Sequence, residues 1–170
     1  MEFYNNSDQV LEIRPIMIED YEFVLAWSKD DQFCLANDWG INREEEELHG
    51  WWLHCVNSVN KNFIRKGIEW NKKLIGYVDL VLINDETAEL GIAIGDRTLW
   101  GQGIGVQACI SMMEYAIENL AISEFYAETH AANIRSRKML EKIGFKEISR
   151  KGIESYLGED SQLIQYRIFC

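Results

Sequence analysis

Glu89-Leu90-Gly91-Ile92-Ala93-Ile94-Gly95-Asp96-Arg97-Thr98-Leu99-Trp100-Gly101-Gln102-Gly103-Ile104-Gly105-Val106, running on through Gln107 to Leu120, is the stretch that decides the fold. It reads as a strand, a glycine-rich turn and a long helix. Side chains alternate across a strand, so Leu90, Ile92 and Ile94 form one row and Glu89, Gly91, Ala93 and Gly95 the other. The first row is core. The second is nearly stripped of side chains, a pattern that marks a bulge or the close approach of another backbone or a ligand. Gly101, Gly103 and Gly105 then stand at alternate positions where the helix must begin. Glycine lets a ligand approach the main chain, and the first turn of a helix offers free N–H groups with a partial positive charge. The expected guest is a phosphate, held by the amides of Gly103, Ile104, Gly105 and Val106 with Gln102 beside them.

Spacing narrows the phosphate ligand. A mononucleotide P-loop needs Lys-Ser/Thr after its last glycine, and Val106-Gln107 stands there instead. The dinucleotide fingerprint needs two glycines, a gap of two and a third, whereas these three are evenly spaced. A diphosphate held by main-chain amides alone remains, which suits a molecule gripped at that point while it reacts at its far end.

These residues resemble the GNAT superfamily of acyl-CoA-dependent N-acetyltransferases. Trp100-Gly101-Gln102-Gly103-Ile104-Gly105 is similar to its Arg/Gln-x-x-Gly-x-Gly/Ala motif, with Trp100 in the Arg/Gln place as in the RimJ/RimL-like branch. Asn133-Ile134-Arg135-Ser136 and Met139 to Phe145 resemble that branch's Asn-x-x-Ser…Glu-Lys-x-Gly-Phe signature. The resemblance covers about Leu11 to Phe169 in element order. It implies an α+β, three-layer α/β/α fold whose central sheet is mixed, mostly antiparallel and splayed, with about seven strands and about four helices. It further implies acetyl-CoA as co-substrate and direct acetyl transfer in a ternary complex to a primary amine, either a protein N-terminus or a small polyamine or aminoglycoside.

In that family the strand ending at Gly95 and the one ending near Ala131 splay apart, with the pantetheine arm in the gap, and the bare Gly91, Ala93, Gly95 face is consistent with that slot. By the same resemblance, Ala93 or Ile94 N–H polarises the thioester carbonyl and Asn133, an N-cap by its local sequence, also bonds the cofactor arm. Glu89 stands fourteen residues before Gly103, where members using a glutamate on this strand place their base. Many members carry a Tyr after the Leu of the second motif to protonate the leaving sulfur; Glu141 follows Leu140 here, as in the RimJ/RimL-like branch, so Ser136 or a water is the candidate donor. His130 ends a strand near the expected acetyl position. A catalytically inactive acyl-CoA-binding regulatory module with the same fold is the alternative reading.

The 170 residues suggest one domain, 1–170. Apolar residues make up 47% and aromatics 12%, which excludes a disordered chain. No basic n-region precedes an apolar run, and no window approaches the ~18 apolar residues of a membrane span, so no membrane partner and a cytoplasmic location are expected. Cys34, Cys55, Cys109 and Cys170 are far apart, with no C-x-x-C and no His pair at metal spacing, so no metal is expected. A net charge of −11 argues against nucleic acid and suits a cationic acceptor. Homodimer formation stays open.

Along the chain the patterns predict a strand over Val10–Ile16, a helix over Ile18–Lys29, irregular chain over Asp30–Arg43, and a helix over Glu44–Val59 with Asn42 as its cap. Strands over Asn62–Trp70 and Leu74–Ile83 form an antiparallel meander with the central one. After the long helix come a strand at Ser123–Ala131, a short helix from Asn133 to Ile143 stopped by Gly144, and final strands at Lys146–Lys151 and Leu163–Phe169.

Overall fold

A computed structural model describes residues 10–170. In chain order these form β1 (Leu11–Pro15), a 3-10 turn (Ile18–Asp20), α1 (Tyr21–Ser28), α2 (Asp31–Ala36), α3 (Glu45–Asn57), β2 (Phe63–Trp70), β3 (Lys73–Leu82) and β4 (Thr87–Ile94). A second 3-10 turn (Arg97–Leu99) leads to α4 (Ile104–Leu120), followed by β5 (Glu124–His130), α5 (Ile134–Ile143), β6 (Lys146–Ser149), β7 (Ile153–Tyr156) and β8 (Glu159–Phe169). The sheet runs β1-β2-β3-β4-β5-β8-β6, with β7 paired to β8. Neighbours are antiparallel except β4 and β5, whose parallel ladder has only three rungs: Thr87↔Glu124, Ala88↔Phe125 and Glu89↔Tyr126. Beyond Glu89 the two strands part, as the resemblance implied.

One face of the sheet is covered by α4 and α5. There Ala108, Met112 and Ala116 pack on Val78, Leu80, Leu90, Phe125 and Ile164, and Gly144 (φ +118) closes α5 so that Phe145 folds back into the same core. The other face, over β2 to β4, is covered by α1 to α3, with Val24, Trp27, Phe33, Leu48 and Trp52 on Leu74, Tyr77 and Ala93. The buried indoles find acceptors: Trp52 Nε1 donates to Met17 C=O (2.9 Å) and Trp39 Nε1 to the Tyr77 hydroxyl (3.1 Å). One bidentate pair ties this layer to the sheet, and a second braces β2 against β3. Arg14 clasps Asp20 at 2.8 and 2.9 Å, and Arg65 clasps Asp79 at 2.7 and 2.8 Å with its guanidinium 4.1 Å over the Tyr77 ring.

The three-layer architecture is the expected one, with eight strands and five α-helices among the described residues. The extra helix is α2, within chain expected to be irregular. Asp30 caps it, accepting from Gln32 and Phe33 N–H, and its six residues are held by buried Phe33 and Cys34 rather than by propensity. The extra strand is β7, mostly exposed and paired only with β8. Asn42 is not the cap of α3; it has φ +56 in the preceding turn, and Glu44 takes the N-cap position.

The bare face of β4 has two causes. A Cβ at Gly95 would fall inside the Trp27 indole, and Ala93 is buried in one cluster with Trp27 and Tyr77, whereas Gly91 lines a cavity beside the parted strands. A similar constraint holds at Gly76, where a Cβ would strike the main-chain oxygen of Ala93, which has no room to give. Gly76→Ala is therefore expected to destabilise by about 2 kcal/mol or more, whereas Gly50→Ala, in α3 with nothing near the added carbon, stabilises by about 0.5–1 kcal/mol. Urea midpoints of the two variants check both signs.

Candidate functional site

The first turn of α4 is open and leaves main-chain amides unpaired. Gly101 and Gly103 adopt φ +78 and +82, and a Cβ on either meets no atom within 4 Å, so the space above the turn is open. The first helical bond runs from Gln107 N–H to Gly103 C=O (3.2 Å), which leaves the N–H groups of Gly103, Ile104, Gly105 and Val106 ahead of it for a guest. Ile104 turns its side chain into the core, leaving only its amide to serve, and Gln102 ties the loop by donating to Thr98 C=O (2.8 Å). Gly105 packs tightly on Met139 of α5.

A cleft of about 320 Å³ opens from this turn, lined by Ile92, Ile94, Trp100, Val106, Asn133 and Ser136. Arg135, Lys138 and Lys142 line it too, spaced three and four apart on one face of α5. In a chain of net charge −11 this cationic stripe sits beside the anion-binding turn. Arg135 lies 3.5 Å over the Trp100 ring, and burial holds its guanidinium below its ordinary pKa. Trp100 Nε1 in turn donates to Ile94 C=O (2.8 Å). That carbonyl is free because β4 has parted from β5. Gly95 N–H bonds to Ile75 C=O (2.7 Å), and main-chain groups alternate along an antiparallel strand. The Ala93 amide therefore faces β3, and those of Ile92 and Ile94 face the gap.

A second cavity, of about 230 Å³, continues between the parted strands and shares Ile92, Asn133, Ser136 and Met139 with the first. Asn133 caps α5, its Oδ1 accepting from Ser136 N–H (3.1 Å). Buried Cys109 forms part of the wall, and burial pushes its thiol up to about 12, which makes it a small apolar surface rather than a nucleophile. His130, Glu128 and Glu154 line the same cavity.

Glu89 occupies the last rung of the β4–β5 ladder and lines a separate concavity with Tyr126, Glu128 and Gln165. Glu128 lines both spaces. Loss of water contact, and then the charge of Glu128, hold the Glu89 carboxyl above the ordinary carboxylate range. The structure thus brings Gly103 to Val106, Ile94, Asn133 and Ser136 around one continuous cleft, while Glu89 stands beside it. The stripe of Arg135, Lys138 and Lys142 escaped the sequence analysis although its three-and-four spacing was visible.

Residues 11–146 match the family model described as an acetyltransferase (GNAT) domain. The chain belongs to the GNAT acetyltransferase family. This GNAT chain is 30% identical over 152 residues to an uncharacterized protein of Methanocaldococcus jannaschii, covering 88% of this chain and 30% of that protein. It is 26% identical over 143 residues to α/β-tubulin-N-acetyltransferase 9 of Homo sapiens, covering 82% and 60%. It therefore spans less than two thirds of the length of these relatives. Among solved structures, spermidine N-acetyltransferase from Vibrio cholerae in complex with CoA and spermine superposes with a TM-score of 0.80 at 21% identity, over 96% of each chain. That likeness is one of fold.

Replacing Glu128 by Gln removes a negative charge but not the desolvation at Glu89. The Glu89 pKa is expected to fall toward, without reaching, its ordinary value. The raised value means that Glu89 favours the folded state at low pH and that this contribution fades as pH rises through the folded pKa; Glu128→Gln shifts that window down. A carbon-13 carboxyl NMR titration of both proteins reads the shift.

Proposed function

We propose that this chain is an acetyl-CoA-dependent N-acetyltransferase that moves the acetyl group to a primary amine by direct attack in a ternary complex. One observation supports the reading most: free amides of a helix turn, with open space above Gly101 and Gly103, lead directly into the gap where β4 leaves β5. The amides of Gly103 to Val106 hold the diphosphate, Arg135, Lys138 and Lys142 add charge around it, and Asn133 borders the arm. Ile94 N–H faces the gap and polarises the thioester carbonyl. Direct transfer is favoured because Cys109, the cysteine in the cavity wall, is held as an unreactive thiol.

An amine near pKa ~10 is protonated at pH 7, so a proton acceptor is required. Glu89, with a raised pKa and a shared neighbour in Glu128, is proposed to receive the proton through water, and Ser136 to supply one to the departing sulfur. The tubulin N-acetyltransferase relative supports a protein acceptor, proposed here as a protein N-terminus, and the spermidine N-acetyltransferase supports a polyamine; an aminoglycoside fits the net negative charge as well.

Titration with acetyl-CoA and an amine panel of peptides, spermidine and an aminoglycoside, read as free thiol, tests the reading. Saturable binding and turnover with at least one amine are expected. Gly103→Val, which forces a side chain into the φ +82 position, is expected to weaken acetyl-CoA binding at least tenfold, about 1.4 kcal/mol. Binding without turnover across the panel would favour a binding module, and unchanged binding by Gly103→Val would overturn the diphosphate site.

A further inference from the structure

We infer that His130, stacked on Tyr156, is the group in the gap that first takes the acceptor's proton. The inference rests on the acetyl-transfer reading above. His130 is the last residue of β5, paired with Leu163 of β8 and well past the final rung shared with β4. Its side chain lines the cavity between the parted strands together with Asn133 and Ser136. The nearly buried ring of Tyr156 lies against the imidazole, with centroids 5.0 Å apart and planes at 24°, and this fixes the ring plane.

The two ring nitrogens of His130 differ in access. Nδ1 is buried without a partner, so Nε2 is the nitrogen left for a guest. The ring borders the cavity in which the acceptor amine must meet the thioester. A neutral imidazole has one donor and one acceptor nitrogen, and the acceptor can take a proton. The charged and titratable groups around it are Glu128 on its own strand, Glu154 and Tyr156 from β7, Asp38 after α2, and Arg135 at the start of α5 close to Tyr156. Three of these are carboxylates.

The alternatives in the structure are less well placed. Glu89 lies in the neighbouring concavity, and a Glu128 oxygen already accepts from Gln165 Nε2 (2.8 Å). Glu89 and Glu128 are the outlet for the proton after His130. The ammonium gives one proton to His130, and the freed electron pair forms the C–N bond as the C–S bond breaks. The nitrogen's second proton goes to the sulfur by way of Ser136, so the products are amide, thiol and the one proton that His130 releases.

The test uses the full chain and whichever panel amine the unmodified protein turns over. His130→Gln is expected to lower kcat about 100-fold, to leave the acetyl-CoA Kd within twofold, and to abolish the acidic limb of the kcat/KM pH profile. In His130→Ala, added imidazole restores part of the rate. Activity within threefold of the unmodified protein, with the acidic limb intact, overturns the inference while leaving the acetyl-transfer reading standing. No thiol release by the unmodified protein with any amine overturns both. A measurement on the unmodified protein guards against a folding defect: of its three histidines, one imidazole nitrogen-15 signal shifts when CoA and that amine are added together, and three unmoved signals overturn the proposal.

Discussion

The ladder between β4 and β5 stops after Glu89↔Tyr126, and most of the site follows from that interruption. A strand that loses its neighbour inside a sheet leaves main-chain N–H and C=O groups that must find other partners. Trp100 Nε1 satisfies the Ile94 carbonyl, and the Ile92 and Ile94 amides are left facing the space between the strands. The same parting sets the glycine-rich turn at the mouth of that space, because α4 is the connection that carries the chain from β4 to β5. A fully paired β4 and β5 would leave no gap for the thioester proposed to lie there.

The second constraint is aromatic. The layer over β2 to β4 is built from Trp27, Trp39, Trp51, Trp52 and Phe33, packed on Tyr77 and Ala93, and it comes close enough to the sheet that Gly95 has no room for a Cβ. Its α2 end forms part of the wall of the gap through Ala36 and Asn37. Asp30 joins this layer to the loop before α4: one carboxylate oxygen caps α2, and the other accepts from Arg97, whose Nη1 also bonds Gln32 Oε1 (2.7 Å). The α2 side of the gap and the glycine-rich turn are therefore linked through Arg97.

Much of this was legible in the chain. Alternation in Glu89–Gly95, the three glycines, and Asn133 with Gly144 located the central strand, the turn and α5 to within a residue or two, because each depends on local physics. Where local signals are weak, tertiary packing decided. The six residues of α2 are helical because Phe33 and Cys34 are buried and Asp30 caps them, and β7 is a strand because β8 offers it an edge. The bare row of β4 was read as room for a ligand; Gly91 does line the cavity, but at Gly95 the room is for Trp27, a neighbour 68 residues earlier in the chain that no window around Gly95 reveals. The unmet nitrogen of His130 and the grouping of Glu89 with Glu128 likewise need the strands to be set side by side.

The central claim is that peptide amides at the start of α4 cradle a diphosphate. Backbone amide NMR during a titration with coenzyme A tests it most directly. The Gly103, Ile104, Gly105 and Val106 resonances are expected to move together and saturate at one Kd, with the amide of Ile94 following. Saturable binding of coenzyme A that leaves those four amides unmoved would contradict the account.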